Sequence, residues 1–222
     1  MKTVAIVPSA GSGRRLGART KKPFVLLGGR PLITYALKAL DSSRRIDGII
    51  IAVEPSCEAR FRRLVKRYNF KKVIAIIHGG ATRSESVRNC LKAIDPSYSM
   101  VLIHDGARPF VEEHTIEACV SAARKFGASL AAVPEIDTVK LADARSFVKR
   151  TVDRKKVFRA QTPQVFRLDV LMKAYGSGPK EGVTDDSSLV EDRGTKVKIV
   201  MGSYRNIKIT TREDLKMAEA LL

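Results

Sequence analysis

Short apolar runs alternate along this chain with stretches whose apolar residues recur at helical spacing. The run Val4–Val7 shows no polar alternation and predicts a strand covered on both faces of a parallel sheet. Ile49–Val53, Val73–Ile77, Val101–Ile103 and Ser129–Val133 read as further strands. Pro31–Leu40, Glu58–Tyr68, Arg83–Ile94 and Glu113–Phe126 fit helices between them. This βαβα rhythm predicts an α/β chain with a doubly wound, mostly parallel, Rossmann-like sheet. Ligands of such sheets bind beyond the carboxyl ends of the strands. That edge would collect the segments after Val7, Ile77 and Ile103.

The rhythm breaks after Pro134. Residues Asp137 to Thr151 alternate like two strands around Ala142–Arg145, which predicts a β-hairpin arm at about 137–152. Two strands alone are marginally stable, so the arm would be steadied most easily against a second subunit. A-Q-T-P-Q, Ala160 to Gln164, is expected to be irregular. Helix returns at Leu168–Tyr175, followed by a turn signal at Gly176–Pro179 and strands at Val197–Met201 and Asn206–Ile209. In T-R-E-D, Thr211 can cap a further helix and Asp214 can close the capping box. No repeat, low-complexity stretch or linker interrupts residues 1–222, so a single domain is expected.

Composition narrows the class. A chain of 222 residues with 44% hydrophobic content suits a globular domain with a sizeable core. No apolar run approaches the ~18 residues of a membrane span. The chain opens on a strand, with no signal peptide visible. Cys57, Cys90 and Cys119 are too far apart for a disulfide framework or a CxxC site, which suits a reducing cytoplasm. His78, His104 and His114 lack metal-ligand spacing. Lysine and arginine number 41 against 23 acids, a net charge of +18. Such a surplus favours an anionic partner. The cations are scattered, however, with no basic helix, zinc module or aromatic-interleaved stripe to mark specific nucleic-acid binding.

The most informative stretch is Val4 to Gly17, V-A-I-V-P-S-A-G-S-G-R-R-L-G. It is a strand running into a glycine loop that carries Arg14 and Arg15, with Lys21 and Lys22 soon after. Glycines let backbone approach a ligand closely, and loop N–H groups point at anions. The loop suits polyphosphate. It is not a Walker A loop, because no G-K-[ST] follows. It departs from the dinucleotide fingerprint in spacing, and the nearest acid at a strand end, Glu54, lies too far along. H-D-G-A-R-P, His104 to Pro109, follows the fourth strand. Asp105 there could bind a sugar hydroxyl or a metal, and Arg108 a phosphate; a D-G turn with a local salt bridge is the plainer alternative. Thr184 or Asp185 in V-T-D-D-S reads as an N-cap. In N-I-K-I-T, Lys208 faces away from its isoleucine neighbours, toward solvent or a polar cleft.

Taken together, A-G-S-G-R-R-L-G, G-G-A-T-R-S-E-S-V (Gly79 to Val87), H-D-G-A-R-P, T-V-D-R (Thr151 to Arg154), A-Q-T-P-Q, V-T-D-D-S and N-I-K-I-T resemble, in order and over nearly the whole chain, the 2-C-methyl-D-erythritol 4-phosphate cytidylyltransferase family. The resemblance implies a nucleotidyltransferase sheet, a homodimer with exchanged arms, CTP and methylerythritol phosphate as substrates, and Mg²⁺ bound mainly through the CTP phosphates. It assigns catalysis to Arg15, Lys22, Arg154 and Lys208. It assigns CTP contacts to Ala10, Gly11, Ser12, Gly13, Arg14, Gly80, Ser86, Asp105 and Ala107, and substrate contacts to Arg108, Thr138, Thr162 and Thr184. One segment departs from the family, which reads P-K-Q-F or P-K-Q-Y after the glycine loop. Here it is T-K-K-P-F, Thr20 to Phe24. Alignment on Phe24 places the catalytic lysine at Lys22, with Lys21 as the alternative. A sister enzyme acting on another polyol phosphate, such as ribitol 5-phosphate, shares the glycine loop and A-Q-T-P-Q and is the alternative.

Overall fold

The computed structural model describes residues 1–11, 20–176 and 185–222. Strand β1 (Lys2–Pro8) is followed by a small hairpin, β2 (Leu26–Leu27) and β3 (Arg30–Pro31), and then by α1 (Ile33–Ser42). The β-α alternation continues through β4 (Gly48–Val53), α2 (Glu58–Tyr68), β5 (Val73–His78), α3 (Arg83–Leu91), β6 (Tyr98–Ile103), α4 (Glu113–Phe126) and β7 (Ala128–Pro134). The arm is a two-stranded hairpin, β8 (Lys140–Ala142) and β9 (Val148–Thr151). After it come β10 (Phe158–Arg167), α5 (Leu168–Tyr175), α6 (Asp186–Glu191), β11 (Lys198–Met201) and α7 (Arg212–Ala220).

Seven strands form one sheet in the order β11-β7-β10-β6-β1-β4-β5. β10 runs antiparallel to both neighbours, and the other described pairings in this sheet are parallel. The unbroken apolar runs have a direct cause. Ala5 and Val7 of β1 pack with α1, α2 and α4 residues such as Leu37, Phe61 and Ile116. Val4 and Ile6, pointing the other way, pack with Val87 of α3, Leu171 of α5 and Val190 of α6. Both faces are therefore dry, and each such side chain contributes about 1.5–3 kcal/mol on burial. A third, smaller core joins Val25, Leu27 and Leu32 to Ile209 and to Ala218 of α7.

Three expectations are corrected. A-Q-T-P-Q lies inside β10 rather than in an irregular segment. Pro163 cannot donate to a ladder, so it argues against a strand; the sheet accommodates it by a register shift against β7 between Ala160 and Gln164. Asn206–Ile209 is not a strand. Its backbone bonds go to turns and loops, with Asn206 N to Ser203 O at 3.0 Å and Ile209 N to Ala107 O at 2.9 Å. The alternation read from N-I-K-I-T survives, since Ile209 is buried and Lys208 exposed. Finally, the positive charge is not evenly scattered. Phe61 and Leu64 of α2 face the core, while Arg60, Arg62, Arg63, Lys66 and Arg67 of the same helix are exposed.

Candidate active site

The carboxyl ends of β1, β5 and β6 open into a cleft of about 390 Å³. Its walls include Ser9 to Gly11 after β1, Gly80 to Arg83 around the start of α3, Asp105 to Ala107 after β6, and Lys22 and Lys208. Two local devices shape it. Thr82 and Glu85 form a capping box at the start of α3, and a Cβ on Gly80 would stand 2.7 Å from Glu85 Oε2. A Cβ on Gly106 would stand 2.8 Å from Ser9 Oγ. Glycine at these positions leaves room for the side chains of Glu85, Ser9 and Ile33 to pack against the loop backbone.

The cleft floor is electrostatically organised. Asp105 is buried. Its Oδ1 accepts from Arg83 Nε at 3.1 Å, and its Oδ2 lies 2.7 Å from Lys208 Nζ and 3.8 Å from Arg108 Nε. Burial alone would raise this carboxyl's pKa, but Arg83 and Lys208 outweigh it and hold the group well below the usual carboxylate range. Behind it, His104 is fully buried. Its Nε2 meets Arg108 O at 3.1 Å and its Nδ1 meets Thr162 Oγ1 at 3.0 Å. A carbonyl only accepts, so Nε2 carries the proton and Nδ1 accepts from the threonine hydroxyl. Burial pushes the imidazole pKa down to about 4. Thr162 Oγ1 in turn accepts from Asp105 N at 3.0 Å.

The residues singled out from sequence fall into four groups. Ala10, Gly11, Lys22, Gly80, Ser86, Asp105, Ala107 and Lys208 line the cleft. The Ser86 hydroxyl also braces the adjoining loop, accepting from Gly80 N at 3.1 Å and donating to Thr82 O at 2.9 Å. Arg108 and Thr162 stand behind the cleft: Arg108 Nη1 donates to Asn206 O at 2.7 Å, and Thr162 holds His104 and Asp105 as described. Arg154 and Thr138 are exposed beside the arm, with Arg154 Nη1 donating to Ile136 O at 2.7 Å. Ser12, Gly13, Arg14, Arg15 and Thr184 lie outside the described residues. Lys21 is held at Glu54, 2.8 Å away, so the acid that a dinucleotide site would have needed is occupied by a lysine.

Sequence reasoning missed Arg83, Gln164 and Asp186. Arg83 lines the cleft and its Nη1 donates to Asp186 Oδ2 at 2.6 Å. Gln164 of β10 receives Asp186 N and Ser187 N on its Oε1, at 3.1 and 3.0 Å, and donates to Asp185 Oδ2 at 2.8 Å. Asp185 caps α6, as one of the two candidates read there. The available signal for Arg83 was the T-x-x-E box that begins its helix.

Among the described residues, no group of three or more His, Cys, Asp or Glu side chains stands together as a metal cage. Asp105 is the one carboxylate among the described residues lining the cleft. That donor set fits a hard cation held largely by a ligand's own phosphate oxygens. Among the described residues no helix is long and apolar enough to cross a membrane.

The family model for 2-C-methyl-D-erythritol 4-phosphate cytidylyltransferase matches residues 3–222. A protein of that name from Geobacillus thermodenitrificans is 47% identical over 220 residues, 98% of this chain and 96% of its own length. Another, from Pelotomaculum thermopropionicum, is 44% identical over 224 residues, 100% of this chain and 94% of its own. The crystal structure of 4-diphosphocytidyl-2C-methyl-D-erythritol synthase from Anaerococcus prevotii superposes with a TM-score of 0.88 at 36% identity, covering 99% of this chain and 97% of that one. The sheet and its cleft are those of an α/β nucleotidyltransferase. Within that class the chain belongs to the 2-C-methyl-D-erythritol 4-phosphate cytidylyltransferase family.

Proposed function

We propose that this chain transfers CMP from CTP to 2-C-methyl-D-erythritol 4-phosphate, giving CDP-methylerythritol and pyrophosphate for isoprenoid precursor synthesis. The observation that carries this reading is the convergence of Lys22 and Lys208, from opposite ends of the chain, on one glycine-walled cleft. The nucleophile is a phosphate monoester oxygen, whose second pKa is about 6, so it attacks largely ionised at neutral pH. A bond forms from that oxygen to the α-phosphorus of CTP. The bond from the α-phosphorus to the bridging oxygen breaks, and the electron pair leaves with pyrophosphate.

No general base is needed, and the described lining residues include no histidine. His104 has both ring nitrogens engaged within the fold. The barrier is the approach of one polyanion to another, and it is lowered by positioning and charge neutralisation. Lys22, with Arg15, stabilises charge developing at the α-phosphate and on pyrophosphate. Lys22 suits this role better than Lys21 because Lys22 lines the cleft, whereas Lys21 is not among its lining residues and pairs with Glu54. Lys208, with Arg154, holds the acceptor phosphate in line. Asp105 is the cleft carboxylate that would help hold Mg²⁺ when CTP is bound, and the ion would supply further charge neutralisation.

Arg154 and Thr138 do not line this chain's own cleft. Their exposed position beside the arm supports a homodimer in which each arm completes the partner's site. The unpaired Cys57, Cys90 and Cys119 suit a reducing compartment, consistent with a cytoplasmic enzyme. The test is pyrophosphate release with Mg²⁺, comparing methylerythritol phosphate with ribitol 5-phosphate, and CTP with ATP, GTP and UTP. Release confined to methylerythritol phosphate and CTP is expected. Release with ribitol phosphate instead would move the enzyme to another pathway, and none with any pair would leave the cleft as a binding site alone.

A further inference from the structure

Arg83 joins two carboxylates that come from distant parts of the chain. Its Nε donates to Asp105 in the cleft at 3.1 Å, and its Nη1 donates to Asp186 at 2.6 Å. Asp186 is fully buried, and its other oxygen accepts from Tyr175 Oη at 2.6 Å. Its backbone is pinned by Gln164, so the far end of the bridge rests on α5, α6 and β10. The near end meets Lys208, whose Nζ sits 2.7 Å from the other oxygen of Asp105. Lys208 is therefore parked on Asp105 in the described state, while its side chain stays 40% exposed. A lysine that turns from a buried carboxylate to a substrate phosphate leaves that carboxylate uncompensated, which is costly unless another cation stays with it. Arg108 Nε, at 3.8 Å, is too far for a hydrogen bond, and Arg108 Nη1 is committed to Asn206 O.

We propose that Arg83 is a positioning residue for the transfer reaction: anchored on buried Asp186, it fixes and balances Asp105, so that Lys208 can exchange this carboxylate for the acceptor's phosphate. The role rests on the cytidylyltransferase reading above. It differs from a purely structural one, in which Arg83 serves only to neutralise Asp186.

A double-variant cycle separates the two. R83M leaves Asp186 without a cation and Asp105 dependent on Lys208 and Arg108, and should lower the melting temperature and reduce kcat/KM for methylerythritol phosphate by about 10²-fold. D186N leaves Arg83 on Asp105 and should cost about tenfold or less. R83M/D186N removes the buried unpaired charge and should recover the melting temperature, yet remain about 10²-fold below D186N in kcat/KM for the acceptor. Activity of the double variant within about threefold of D186N would overturn the proposal. If the Met variants do not fold, R83K decides. Lysine keeps the charge but cannot bridge both carboxylates, so the acceptor KM should rise about tenfold or more with the CTP KM unchanged. An acceptor KM at the wild-type value would overturn it equally. The unaltered chain runs in the same assay: no acceptor-dependent release there removes the reaction reading and this role with it, whereas release there with a double variant matching D186N removes the role alone.

Discussion

The cleft floor and the arm solve the same problem, holding side chains in place, by opposite means. At the floor, His104, Asp105, Thr162 and Asn206 are buried and bonded to one another or to neighbouring backbone. In the arm, the residues of β8 and β9 are all exposed, and Phe147 and Val148 keep 68% and 62% of their surface in solvent. The floor is ordered by interactions the chain supplies to itself. The arm presents apolar surface that the described chain does not cover, and we propose that a second copy covers it.

The comparison is broken most severely at the two cleft lysines. K22A and K208A should each lower turnover by about 10²–10³-fold, measured as steady-state pyrophosphate release. Turnover within about threefold of wild type in both would show that charge in the cleft is not what drives the reaction.

A second effect concerns the floor alone. His104 has its pKa pushed down to about 4 by burial, against about 6.5 unfolded. The unfolded chain therefore binds more protons between these values, and stability should fall as pH drops through that window, by on the order of 3 kcal/mol in total. Asp105, with its pKa held below the usual range, contributes stability that is fully present above its unfolded pKa and is lost only at lower pH, as its ion pairs titrate. Denaturant unfolding from pH 7 to pH 4 should show the decline in wild type and a flatter profile in H104N. Parallel profiles would assign the decline to other groups.

Smaller effects sharpen the contrast from the arm's side. F147A removes an exposed ring, so the stability of the isolated chain should change by less than about 0.5 kcal/mol. Self-association, followed by sedimentation equilibrium, should weaken about tenfold or more if that ring is buried between copies. Unchanged self-association would remove the arm from the interface. The smallest change is expected for K21A, whose ammonium pairs with Glu54 away from the cleft lining; turnover should stay within about threefold of wild type. A drop as large as that of K22A would reassign the lysine role.

Legibility in the sequence followed the range of the interactions. Strands such as β1 and β4 were readable because burial on both faces leaves an unbroken apolar run. α2 was readable end to end because its apolar stripe stops at Asn69, which takes the left-handed conformation that asparagine tolerates. β10 was not readable. Its buried Gln161, Thr162 and Gln164 look like loop residues locally, and their partners at Asp105, Asp186, Ser203 and Asn206 lie 22 to 57 positions away. Arg83 and Asp186 are 103 positions apart, and no local period could announce their pairing. Composition gave the sign and size of the charge but not its concentration on one face of α2. The cleft lysines were reached through motif order, not through periodicity.

The small core behind the hairpin carries one more implication. Val25 follows the turn that bears Lys22, and Ile209 follows Lys208; both are buried in the same cluster with Leu27, Leu32 and Ala218 of α7. That cluster works as a gauge block, setting the gap between two cationic jaws whose span must match a phosphate chain. Wear in the block, such as a cavity at Leu27, would first appear as a loss of tolerance: slower turnover and looser discrimination among phosphate acceptors in a protein that still melts as a folded one.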